Sequence, residues 1–99
     1  MGDPLVAGID VGTNGARCML VDLAGNVVAS AAEPIAASVA GLPDGWSEQD
    51  PEDWWRATCA ACRAALGQAG PAAGPLAGLA VDSTSGTVIP VDADGAVEP

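Results

Sequence analysis

Ninety-nine residues suffice for one small domain, which buries about 60–65% of its unfolded surface, so any larger machine is expected to be represented here only in part. The formal net charge of -10 sets 13 acids against three arginines, with no lysine and no histidine. Counterion release from a nucleic-acid backbone has almost nothing to act through, which argues against a nucleic-acid partner.

The start, "MGDPLV", lacks a basic residue and a continuous apolar run, and Val6 stands where a myristoylation signal has Ser or Thr. No targeting signal is expected. Leu5 to Asp10 reads as a short buried strand, followed by a Gly-rich turn, a second strand at 16–22 ("ARCMLVD"), the turn "LAGN", and a third strand at 27–33. These predict a three-stranded antiparallel meander over 5–33. "VVASAAEPIAASVAGL" is broken by Glu33 and Pro34 and falls short of the roughly 20 apolar residues of a membrane span. An odd count of three cysteines gives no disulfide framework, and together these point to a cytoplasmic protein with no membrane partner.

Residues 34–49 read as a loop. Asp50 as N-cap, Pro51 at the first position and Glu52 and Asp53 in the first turn predict a helix over 50–69. Trp55, Cys59, Cys62 and Leu66 follow helical spacing and predict its buried stripe. Residues 76–92 read as strand, turn and strand, "LAGLAVD", "STSG" and "TVIPVD", with Pro90 marking an edge or a bulge. The predicted order is β-β-β-α-β-β, the opening of an α/β domain occupying residues 1–99.

The stretch "DVGTNGAR" carries the most chemistry. Gly12 and Gly15 flank Thr13 and Asn14, so backbone N–H groups can converge on an anion while a hydroxyl and Arg17 add directional donors. Without lysine it is no Walker A loop, and with glycines at 8, 12 and 15 it is no G-x-G-x-x-G. An ordinary Gly-Asn hairpin turn is the plain alternative. A carboxylate as close to phosphate as Asp10 requires an intervening cation, usually Mg²⁺. Asp82 ends its strand as Asp10 does, and if the two strands are neighbours both acids face one crevice; a turn-initiating Asp is the alternative.

Cys59 and Cys62 form a C-x-x-C, but with Cys18 the only further cysteine and no histidine, a complete Cys/His zinc site cannot be assembled. They are read as packing residues. Trp46, Trp54 and Trp55 could stack on a sugar ring, although tryptophans pack more often than they bind.

"GIDVGTNGARCMLVDLAGNVVA" resembles the phosphate-1 hairpin of the sugar kinase, actin and heat-shock-chaperone ATPase superfamily. "GWSEQDPEDWW" and "LAGLAVDSTSGTVIPVDADGAVEP" are similar to the segments that follow it in FGGY-family carbohydrate kinases, in register over nearly the whole chain. The resemblance implies the N-terminal part of a ribonuclease H-like, actin-like ATPase domain, with ATP and Mg²⁺ as cofactors and a small sugar or polyol as partner. It implies Asp10 as the catalytic and metal-linked acid, Gly12, Thr13, Asn14, Gly15 and Arg17 around the nucleotide phosphates, and Asp82, Thr84 and Ser85 toward the substrate. Ser85 and Gly86 are small where the glycerol and xylulose kinase branches carry bulky polar pairs. The turn looks like that of the ribulose or xylulose kinase-like branch, implying a pentulose, D-ribulose ahead of D-xylulose. The family's catalytic base lies far downstream and matches no position here, so the chain alone is expected to be inactive. The oligomeric state stays open, a homodimer included.

Two rival readings remain. A two-metal nuclease of the same fold would use Asp10, Glu52 or Asp53, and Asp82. A non-catalytic ATP-binding module needs only the turn.

Overall fold

A computed structural model describes residues 2–98, so the expected domain limits at residues 1 and 99 lie outside it. Strands β1 (Leu5–Val11), β2 (Gly15–Asp22) and β3 (Val27–Pro34) form the predicted antiparallel meander. Helix α1 (Pro51–Ala69) and a short 3-10 turn (Gly70–Ala72) then return the chain to β4 (Leu76–Ser83), which runs parallel to β1. The sheet order is β3-β2-β1-β4.

Period-two alternation decides which face of the meander is covered. Leu5, Ala7 and Ile9 of β1 and Ala16, Cys18 and Leu20 of β2 are buried, while Gly8, Asp10 and Arg17 are exposed on the opposite face. The helix begins where its sequence says: the Asp50 carboxylate accepts the Glu52 N–H at 3.0 Å, Pro51 occupies the first turn, and the acids at 52 and 53 sit at the positive end of the dipole. Gly70, at φ +68°, closes it by donating its N–H to the Leu66 carbonyl.

The face that α1 buries differs from the predicted one. Ala57, Ala61 and Ala65 are its fully buried residues, whereas Trp55 is 67% and Leu66 50% exposed. The contact face therefore lies roughly a third of a turn from the Trp55–Leu66 stripe. Alanines let the helix backbone come close to β2 and β3, where larger side chains would hold it away. Ala61 and Ala65 meet Leu5, Ala7, Ile9, Cys18, Leu20 and Ala29, with Cys62 half-buried beside them. Ala57 meets Ala16 and Ile35, with Trp54 half-buried against that second cluster.

The last predicted strand does not form. Over residues 87–92 the only pairing among the described residues is an isolated bridge between Val91 and Val97. Pro90 has no N–H to give a ladder, and no neighbouring strand lies alongside among the described residues. The element order within residues 2–98 is thus β-β-β-α-β, with β4 at the sheet edge. Helix α1 packs on β3 and β2, reaches β1 and does not touch β4, leaving Leu76, Leu79 and Val81 uncovered. No helix among the described residues is long and apolar enough to cross a membrane.

Candidate functional site

In the turn joining β1 to β2, four carbonyls are engaged while the two amides at its tip are free. Val11 O accepts the Thr84 N–H at 3.1 Å, Asn14 O the Ile35 N–H at 3.0 Å, and Gly15 O the Gly12 N–H at 2.9 Å. Thr13 O accepts from Gln49 Nε2 at 2.7 Å. Among the described residues the N–H groups of Thr13 and Asn14 have no acceptor. Two adjacent free amides beside a positively charged side chain are the ingredients of an anion site. Gly15 is required by space: a Cβ there would lie 2.8 Å from the Glu33 carbonyl oxygen on β3. A depression of about 550 Å³ lies over this turn and includes Asp10, Thr13, Asn14, Gly15 and Arg17 in its lining.

Strand register brings the charged residues together. Asp10 on β1 stands opposite Arg17 on β2 and opposite Asp82 on β4, all on the face away from α1. Each acid stands one residue before the carboxyl end of its strand, and the two strands are parallel neighbours, which is the condition the crevice expectation set. The Asp82 carboxyl is held above its ordinary value, first by the hydrogen bond it shares with Asp10 and then by the charge of Asp10. Arg17 donates from Nη1 to Ser30 Oγ at 3.4 Å, and both ion pairs found among the described residues belong to Arg56 instead.

The two turns at this edge also touch. Thr13 Oγ1 and Thr84 Oγ1 are 3.4 Å apart, next to the Thr84 N–H to Val11 O bond. Asp10, Gly12, Thr13, Asn14, Gly15, Arg17, Asp82 and Thr84 are therefore gathered at one edge of the sheet. Ser85 sits in the exposed turn just beyond, with no hydrogen bond to the hairpin among the described residues.

The nuclease constellation does not form. Helix α1 lies on the opposite face of the sheet from Asp10 and Asp82, and Asp53 is engaged by Arg56 Nε at 2.7 Å and the Ala36 N–H at 3.1 Å. Those contacts, Arg56 first, hold the Asp53 carboxyl below its ordinary value. No group of three or more His, Cys, Asp or Glu suited to a metal ion exists among the described residues. The cysteines are free: burial pushes the Cys18 thiol up to about 11, with Cys62 beside it adding to the effect, which disfavours the reactive thiolate. Trp46 is exposed, and the indole of Trp54 donates to Gln49 Oε1 at 3.1 Å.

Gln49 is the residue that sequence reasoning missed. Its Nε2 also donates to Ala36 O at 2.9 Å, so it links the turn, the 34–49 loop and the helix. Nothing local marks it beyond its place just before the helix cap in "SEQDP".

Residues 5–97 match the family model for the FGGY family of carbohydrate kinases, N-terminal domain. The chain is 36% identical to a ribulokinase of Geobacillus thermodenitrificans, over 96% of this chain and 18% of that protein. It is also 36% identical to a glycerol kinase of Rhodopseudomonas palustris, over 91% of this chain and 18% of the relative. Among solved structures, a xylulose kinase from Rhodospirillum rubrum superposes with a TM-score of 0.86 at 32% identity, over 96% of this chain and 19% of that one. The chain thus spans less than a fifth of the length of these relatives. With its sheet order, its paired strand-end acids and its turn of free amides, the chain belongs to the FGGY family of carbohydrate kinases, within the family's N-terminal domain.

Proposed function

We propose that this chain supplies the first phosphate-binding turn and part of the sugar site of an ATP-dependent carbohydrate kinase, the catalytic base and the rest of the cleft coming from outside residues 1–99. The observation that carries this reading is the turn at 12–15, with the carbonyls of Thr13, Asn14 and Gly15 tied back and the amides of Thr13 and Asn14 free beside Asp10 and Arg17. Phosphoryl transfer depends mainly on positioning and on neutralising charge. The turn amides, the Thr13 hydroxyl and the Arg17 guanidinium hold phosphate oxygens. Asp10 stands beside them as the acid that faces the metal.

A metal cage made by protein side chains alone does not fit here, since no three-ligand group is present among the described residues. Magnesium held by a carboxylate, waters and the nucleotide's own phosphates does fit a pair of strand-end acids. When bound, it would supply charge neutralisation between Asp10 and the phosphates. Asp82 and Thr84 face the sugar, and Ser85 offers it a hydroxyl that both donates and accepts.

A pentulose, D-ribulose ahead of D-xylulose, is the substrate we propose. Small residues at Ser85 and Gly86 leave no bulky polar clamp of the glycerol type, and a ribulokinase is among the relatives. Release of ADP by the full-length kinase over a panel of D-ribulose, D-xylulose and glycerol tests this. Preference for a ketose is expected, with a raised sugar KM in Ser85→Ala; preference for glycerol, or an unaltered sugar KM in that variant, overturns the assignment.

A further inference from the structure

The side-chain amide of Gln49 has three partners and one orientation. Its two N–H bonds reach Thr13 O at 2.7 Å and Ala36 O at 2.9 Å, and its Oε1 accepts the Trp54 indole N–H at 3.1 Å. An indole nitrogen only donates and a backbone carbonyl only accepts, so a flipped amide would lose all three bonds. Trp54 is half-buried against Ala16, Ile35 and Ala57, which fixes the indole and through it the amide.

We propose that Gln49 is a positioning residue for the nucleotide phosphates, an inference that rests on the kinase reading above. Of the four turn carbonyls that accept hydrogen bonds, those of Val11, Asn14 and Gly15 are held by backbone N–H groups, and that of Thr13 by the Gln49 side chain. In a trans peptide the C=O and the N–H lie in one plane and point in opposite directions. Tying Thr13 O to Gln49 therefore aims the Asn14 N–H the other way, as one of the two free amides of the turn. Released from Gln49, the same peptide can rotate and present a carbonyl dipole to the anion in place of an amide. Trp54, 5 residues further on, acts at one remove by holding Gln49.

The test compares the full-length parent kinase with Gln49→Glu, Gln49→Leu, Trp54→Phe and the Gln49→Glu/Trp54→Phe double variant, measuring KM for ATP, KM for the sugar, kcat and Tm. Gln49→Glu keeps the acceptor for Trp54 but sets a carboxylate against two carbonyls; it should raise the KM for ATP about tenfold or more, with the sugar KM within about twofold. Gln49→Leu should move in the same direction, Trp54→Phe by less, and the double variant no further than Gln49→Glu, because Trp54 acts through Gln49. Should the carboxylate variant fail to fold, Gln49→Leu and Trp54→Phe decide the question alone. Lower Tm with an unchanged KM for ATP, or equal rises for ATP and sugar, overturns the inference. A parent enzyme without ATP-dependent sugar phosphorylation overturns the kinase reading itself, and this inference with it.

Discussion

Replacing Gly15 by alanine probes the closest backbone approach at the site. A Cβ at Gly15 would stand 2.8 Å from the Glu33 carbonyl oxygen, against a lower bound of 3.4 Å for ordinary contact, and the neighbour is backbone held in the β2–β3 ladder. Relief to ordinary contact requires the two strands to part by more than half an ångström beside the turn, and overpacking of this kind costs about 1–3 kcal/mol. Restricting the unfolded chain offsets about 0.4–1 kcal/mol, leaving about 1.5 kcal/mol of destabilisation. For a domain of this size that corresponds to a Tm lowered by roughly 6–12 °C. Gly67 is the internal control: it lies within α1, exposed, with nothing within 4 Å of the place an added methyl would take, so Gly67→Ala should raise stability by roughly 1 kcal/mol. Thermal melting followed by circular dichroism reads both. A Gly15→Ala protein that melts at or above the parent refutes the steric argument.

Arg17→Ala in the full-length kinase should weaken ATP binding by about 1.5–3 kcal/mol, the worth of a hydrogen bond to a charged group; unchanged nucleotide affinity in a direct titration removes Arg17 from the phosphate site. Asp10→Asn should lose turnover far more than stability, and a rate equal to the parent's at saturating Mg²⁺ and ATP contradicts its role. The pH dependence of Asp82 follows from its raised carboxyl. The Asp10–Asp82 pair favours the fold below the ordinary carboxylate range, and that contribution is lost as pH rises through the raised value, above which two like charges oppose folding. Asp82→Asn should therefore melt above the parent at neutral pH, with the gap closing in acid; a gap that widens in acid refutes the coupling.

Much of the fold was legible because local signals and tertiary packing agree. Apolar runs separated by turn residues mark β1 to β3, and Asp50-Pro51 marks the helix start to the residue. The pairing of Asp10 with Asp82 was legible only as a condition, since nothing local in residues 76–83 says which strand lies beside them or in what register. The helix face was misjudged because bulk was taken as the sign of burial, whereas close packing on the sheet selects the alanines at 57, 61 and 65. The β-branched Val88, Ile89 and Val91 around Pro90 look like a strand, but a strand needs a partner, and residues 87–92 have, among the described residues, only the Val91–Val97 bridge. Gln49 was invisible for a related reason: its bond to Thr13 O joins residues 36 apart in sequence, and no periodicity reports such a contact.

The most direct test of the central claim is a crystal structure of the full-length kinase with Mg²⁺ and a non-hydrolysable ATP analogue. The account predicts phosphate oxygens about 2.7–3.2 Å from the amide nitrogens of Thr13 and Asn14, with Arg17 turned toward them and Thr13 O still on Gln49. Phosphates bound elsewhere, with both turn amides still free, would contradict it.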